Sequence, residues 1–74
     1  MKNFVPHTLQ ELQAMQIEND KFYTIQYINK DYFNAEDTLE IQKAKAVVTD
    51  KDISFIVSDP YGMDKFISRV RIIN

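Results

Sequence analysis

Few side chains in this chain could take part in a reaction. Its 74 residues include no Cys, no Trp, one His and one Gly. His7 has no carboxylate at a spacing that would build a general base or a ligand set, so it reads as a surface imidazole near a helix start. Ser54, Ser58 and Ser68 fall in strand-like stretches without a base partner. Asp50-Lys51-Asp52-Ile53-Ser54 shares the opening of a calcium loop but lacks the glycine at the sixth place and the closing glutamate, so it reads as a hairpin turn. There is no glycine-rich phosphate loop, no Cys/His metal pattern and no nucleophile elbow. The chain reads as a non-enzyme, with no catalytic residue, metal or cofactor expected.

What remains is binding chemistry. Asp31-Tyr32-Phe33-Asn34-Ala35-Glu36-Asp37-Thr38-Leu39-Glu40 sets four acids around two aromatics. Aromatic side chains anchor interfaces, and carboxylates around them suit a basic partner surface. The candidate partner-binding residues are therefore Asp31, Tyr32, Phe33, Glu36, Asp37 and Glu40. The alternative is that Tyr32 and Phe33 tuck into the edge of the core while the acids solvate a loop. A second candidate surface is the outer face of a sheet, carrying Lys45, Val47, Ser54, Ile56, Ser58, Ile67, Arg69, Arg71 and Ile73. One helix cannot cover both faces of a sheet, so Val47, Ile56 and Ile67, rimmed by Arg69 and Arg71, are exposed for a partner or for a homodimer. Lys45, Lys65, Arg69 and Arg71 form a small basic cluster, but no aromatic interleaves the arginines and the chain as a whole is acidic. Both points argue against direct nucleic-acid binding.

Composition sets the bounds. Seventy-four residues make one domain, 1–74, with a modest core and no disulfide to staple it. Apolar residues are 45% and aromatics 12% of the chain, enough for a packed interior rather than a disordered chain. The net charge of −2 implies no partner by itself. It is split, with net −4 over residues 1–42 and net +2 over 43–74. Ile and Lys are abundant and Ala and Arg scarce, the bias of AT-rich coding in low-GC bacteria and their phages. From Met1 to Asn74 there is no tag or fusion scar, and the chain reads as a complete small protein. With no signal-peptide core, no spanning run and no Cys, a cytoplasmic location is the expectation.

The elements that must position these residues follow from pattern. Thr8-Leu9-Gln10-Glu11 fits a capping box, and Leu9, Leu12 and Met15, with Ile17 flanking, give a helix near 8–19. Tyr23, Ile25 and Tyr27 alternate with polar residues in a strand over 21–29, and 30–38 reads as a loop. Residues 39–49 read either as a short capped helix or as a strand. The strand is favoured, with a bulge near Gln42-Lys43 because Leu39 and Ile41 fall on the opposite parity from Ala44, Ala46 and Val48. Ile53, Phe55 and Val57 mark another strand, Asp59-Pro60-Tyr61-Gly62 a turn, and Phe66, Ser68, Val70 and Ile72 the inward side of a final strand. The fold class is α+β: one N-terminal helix packed on a three- to four-stranded antiparallel meander. The expected core is Leu9, Leu12, Met15, Tyr23, Ile25, Tyr27, Val48, Ile53, Phe55, Val57, Phe66, Val70 and Ile72.

In length, composition and its acidic-aromatic segment, the chain resembles small phage-encoded proteins that bind and disable a host enzyme, and among them the staphylococcal phage inhibitors of the bacterial DNA sliding clamp. A clamp-binding peptide carries Gln, then Leu or Met, then an aromatic pair. Gln10-Glu11-Leu12 and Gln13-Ala14-Met15 match only its start. The resemblance therefore implies blockage of the DNA path through a basic ring by an acidic surface, with 31–40 as that surface, in the host cytoplasm. The alternative function is a small nucleic-acid-binding or transcription-modulating protein using Lys45, Arg69 and Arg71.

Overall fold

A computed structural model describes residues 4–31, 36–58 and 62–73. It is a small α+β fold, with one short helix, α1 (Leu9–Ala14), and five antiparallel strands. The strands are β1 (Phe22–Asp31), β2 (Glu36–Val48), β3 (Ile53–Ser58), β4 (Asp64–Ile67) and β5 (Arg71–Ile72). Their order across the sheet is β4-β3-β2-β1-β5. The first four form the expected meander. The expected final strand instead divides, its first part on one edge of the sheet and its second on the other.

That division forces the sheet to curl. In a flat sheet β4 and β5 would stand four strand spacings apart, roughly 19 Å. Four residues from Ile67 to Arg71 reach at most about 14 Å. The edges must therefore approach one another, and the sheet wraps around a concave face that holds the core. Val70, in the connection, is fully buried there. The N-terminal segment closes the β5 side. The His7 amide donates to the Val70 carbonyl (2.8 Å), the Ile72 amide donates to His7 Nδ1 (3.1 Å), and Arg71 Nη1 donates to the Val5 carbonyl (3.1 Å). His7 is thus half-buried in a backbone tie rather than a free surface imidazole.

The β1–β2 ladder runs for ten consecutive pairs, from Phe22↔Lys45 to Asp31↔Glu36, without a bulge. Residues 39–48 are therefore strand, with Thr49 just beyond its end, but the expected bulge at Gln42-Lys43 is absent. The expected loop over 30–38 is in part the continuation of this hairpin, since β1 runs to Asp31 and β2 starts at Glu36. Its remainder, Tyr32–Ala35, lies outside the described residues.

The helix has its capping box: Glu11 N–H donates to Thr8 Oγ1 (3.1 Å) and Thr8 N–H to Glu11 Oε1 (2.8 Å). It ends earlier than the periodicity predicts. Gln16 takes a left-handed backbone (φ 58°), and its amide donates to the Gln13 carbonyl, a helix-terminating arrangement. The reversal turns Ile17 into the core beside Leu12 and leaves Leu9 and Met15 exposed, against expectation. The hairpin turn at 50–52 is as expected. Thr49 Oγ1 accepts from the Asp52 amide, and Asp52 Oδ1 accepts from the Ile53 amide, which occupies that carboxylate in the turn itself. In the second turn Gly62 has the positive φ (81°) that favours glycine, while Asp59, Pro60 and Tyr61 lie outside the described residues.

The core comprises Leu12, Ile17, Ile25, Tyr27, Ala44, Ala46, Ile53, Phe55, Val57 and Val70, with Tyr23, Val48, Ile67 and Ile72 packed against it. Phe55 is fully buried, with the Tyr23 ring edge-on at 6.2 Å. Phe66 was expected inside and Ile67 outside; the register reverses them. Phe55 pairs with Ile67, so Ile67 shares its inward face, while Phe66 stands beside Ile56 on the outer face and is 66% exposed. Ile67→Ala should therefore cost about 1–2 kcal/mol, as for a partly buried aliphatic truncation, and Phe66→Ala less than about 0.5 kcal/mol. Urea unfolding of the two variants checks the register, and the reverse ranking would contradict it.

Candidate partner-binding ribbon and cleft

β5 meets β1 only at Ile25 and Gln26, and β3 pairs with β2 from Lys45 to Val48. Beyond these points the β1–β2 hairpin continues as a two-stranded ribbon. Five of its pairs, from Tyr27↔Glu40 to Asp31↔Glu36, extend it by roughly 17 Å at about 3.4 Å per residue. The ribbon carries four of the candidate acids and a single base, Lys30.

The register sorts these acids. Asp31 and Glu36 are paired directly opposite one another at the far end of the ladder. Asp37 pairs with Lys30 and is exposed. Glu40 pairs with Tyr27 on the concave face and is half-buried. Tyr32 and Phe33 lie outside the described residues. The structure thus places Asp31, Glu36, Asp37 and Glu40 on one ribbon, with Asp31, Glu36 and Glu40 on one strand parity and Asp37 on the other.

At the base of the ribbon the curl brings the end of β3 and the start of β4 over β1 and β2. Between them lies a cleft of about 310 Å³, lined by Tyr27, Asn29, Glu40, Ile41, Gln42, Val57, Ser58 and Lys65. The core face of the sheet turns polar here. Because β2 runs without a bulge, Glu40 and Gln42 take the inward positions, while Leu39 and Ile41 turn outward, Ile41 being 61% exposed. Gln42 Nε2 donates to the Tyr27 hydroxyl (2.9 Å). Glu40 Oε2 is withdrawn from solvent and has no hydrogen-bond partner among the described residues. Burial, then the nearby Glu40 charge, push the Tyr27 phenol above its ordinary pKa, against the Gln42 hydrogen bond.

The structure places only some of the outer-face candidates on one face. Val47 and Ile56 are half-buried on the outer face, paired with Ser54 and Lys45. Ile67 belongs to the core side and is removed from that surface. Arg69 is exposed in the β4–β5 connection, and Arg71 is tied to Val5. Sequence reasoning missed two aromatics there. The pairings line up Phe22, Lys45, Ile56 and Phe66 across four strands, and both phenylalanines are at least 60% exposed. Phe22 opens its strand and Phe66 sits one residue off the expected register, so only the pairing shows that they share a face.

Among the described residues no three His, Asp or Glu side chains gather as a metal site, and no helix is long and apolar enough to cross a membrane. No protein-family model, curated protein or solved structure matches the chain.

The raised Tyr27 pKa has a direct signature. The native state keeps that proton after the unfolded chain has lost it, so the stability linked to Tyr27 is intact below the ordinary value of 10.0 and falls as pH rises above it. Ultraviolet titration of the phenolate band should show a late phase that disappears in Tyr27→Phe. A variant titration identical in its late phase would place the Tyr27 hydroxyl in water.

Proposed function

We propose that this chain is a non-enzymatic protein-binding inhibitor that engages a basic surface of a host protein, and that its target is the bacterial DNA polymerase sliding clamp. The observation that carries the reading is the acidic ribbon: four carboxylate positions against one lysine on a two-stranded projection. Such a ribbon presents an extended negative edge, the charge character of a DNA backbone, to a channel that normally holds DNA. Occupying that channel would block DNA replication without any chemistry on the target. The clamp is chosen because the chain resembles phage inhibitors of it in length, composition and acidic-aromatic segment.

A second reading rests on the outer face. Exposed Phe22 and Phe66 in one row with Lys45 are the kind of aromatic-and-basic platform on which single-stranded bases stack. It predicts a gel shift with DNA or RNA that weakens steeply with salt. No shift at low salt with any nucleic acid would end it.

The ribbon reading is tested by replacing Asp31, Glu36, Asp37 and Glu40 together with Ser. Affinity for the purified clamp should fall by at least about tenfold at low ionic strength, with a smaller gap at high salt. Affinity unchanged at low salt would remove the electrostatic basis of the proposal.

A further inference from the structure

The straight register of β2 sets an ordered row on the outer face of the β1–β2 hairpin. Ala44 and Ala46 are buried inward, so Asp37, Leu39, Ile41, Lys43 and Lys45 follow one another on the opposite face. Asp37 and Lys43 are exposed, Leu39 is 36% exposed and Ile41 61%. Ile28, opposite Leu39 on β1 and half-buried, widens the apolar middle. The row is therefore acidic at one end, aliphatic in the middle and basic at the other end. Read in reverse, that order is its own complement. A two-fold dimer uses this property, since each residue of the patch meets its counterpart reciprocally. The two charged ends cannot meet within one chain. Asp37 and Lys43 lie on one strand roughly 20 Å apart, farther than the screening length at physiological salt.

We propose that this face is the interface of a homodimer, in which a second copy lies face to face with its β2 antiparallel, Asp37 of each copy over Lys43 of the other and Leu39 over Ile41. The two-fold axis crosses the strands at the level of Glu40. Facing sheets pack about 10 Å apart with their strands within about 30° of alignment, so the aliphatic side chains interdigitate and the charges pair at the two ends. Registers nearer the other end of the row are excluded by charge. An axis at Lys43 or Lys45 sets lysine over lysine, and Lys45 is level with the exposed Phe22 and Phe66. Charge order thus selects the Leu39–Ile41 level over the more aromatic row, and over the Val47–Ile56 end that sequence suggested. Two strands from each copy cover less than the roughly 1,600 Å² of a standard interface, which makes the dimer weak and concentration-dependent. The proposal does not rest on the clamp as target.

The test is sedimentation equilibrium of the intact chain from low micromolar to millimolar concentration. The native chain should pass from monomer to dimer in that range, with no larger species. Ile41→Ser should weaken association by at least about tenfold, since each dimer loses the aliphatic contact twice. Asp37→Lys and Lys43→Asp should each weaken it several-fold at low salt, and the two together should restore it. Because the positions are too far apart to interact within one chain, that rescue reads a contact between copies. No rescue by the charge exchange would overturn the register. A dimer indifferent to Ile41→Ser but lost in Phe66→Ser would overturn the proposal and move the interface to the aromatic row. A chain still monomeric at millimolar concentration would also overturn it. Shifts of the Leu39, Ile41 and Lys43 amides in that monomer on adding a single-stranded oligonucleotide would give the face to nucleic acid instead.

Discussion

The unbroken ladder between β1 and β2 determines most of what this protein can present. Ten consecutive pairs leave no residue out of step, so every second residue of β2 from Glu36 to Val48 faces the same way. Slipping that register by one residue would turn Ala44 and Ala46 out and Leu39 and Ile41 in. Ala44 and Ala46 are almost completely buried, and small side chains there let Tyr23, Ile25 and Phe55 close over the strand. The packing of the well-covered half of β2 thus dictates the facing of its far half. Glu40 and Gln42 are carried onto the core face by continuity with the alanines, not by any preference of their own.

The same ladder explains how a chain with so small an interior is held together. The concave face is filled at one end by Ile25, Ile53, Phe55 and Val70, with Leu12 and Ile17 from the helix segment as a lid. The three-residue passage from β4 to β5 pins the curl, and the N-terminal segment ties β5 through His7 and Arg71. At the other end, among the described residues, the inward positions near the ribbon are Tyr27, Asn29, Glu40, Gln42 and Lys65. Among the described residues the sheet is therefore asymmetric along its strands, apolar inside at one end and more polar at the other. The acidic ribbon extends from the polar end. Charged residues on it also keep a two-stranded edge from pairing with other chains.

Much of this was legible from residue order. The capping box at Thr8 and Glu11, the β1 and β3 alternations and the 50–52 turn all depend on neighbours in sequence, and each is found. What was not legible depends on pairing between distant strands. The helix was expected to continue because Met15 keeps its period, yet the left-handed Gln16 ends it and gives the buried position to Ile17. The run from Phe66 to Ile72 alternates well enough to read as one strand. Only the need to bury Val70 and pair Ile72 with Ile25 breaks it. The bulge was expected because Leu39 and Ile41 were presumed to face inward. The structure keeps the ladder straight and places the polar residues inside. A local pattern overruled by the global fold marks a position where packing alone does not explain the residue, and here such positions line the cleft. The acids of 31–40 were visible as a cluster; that they lie on a projecting ribbon, and that Glu40 takes an inward position, came from the register.

The central claim is that the unbroken register of β2 turns the Glu40 carboxylate inward, where Oε2 has no hydrogen-bond partner among the described residues. The most direct measurement is urea unfolding of Glu40→Leu beside the native chain. If the carboxylate is unpartnered in the folded state, an apolar side chain of similar size should raise stability, by about 1 kcal/mol. A lower unfolding midpoint for Glu40→Leu would mean that the carboxylate is satisfied within the fold, and that the polar end of the sheet is structural rather than a site.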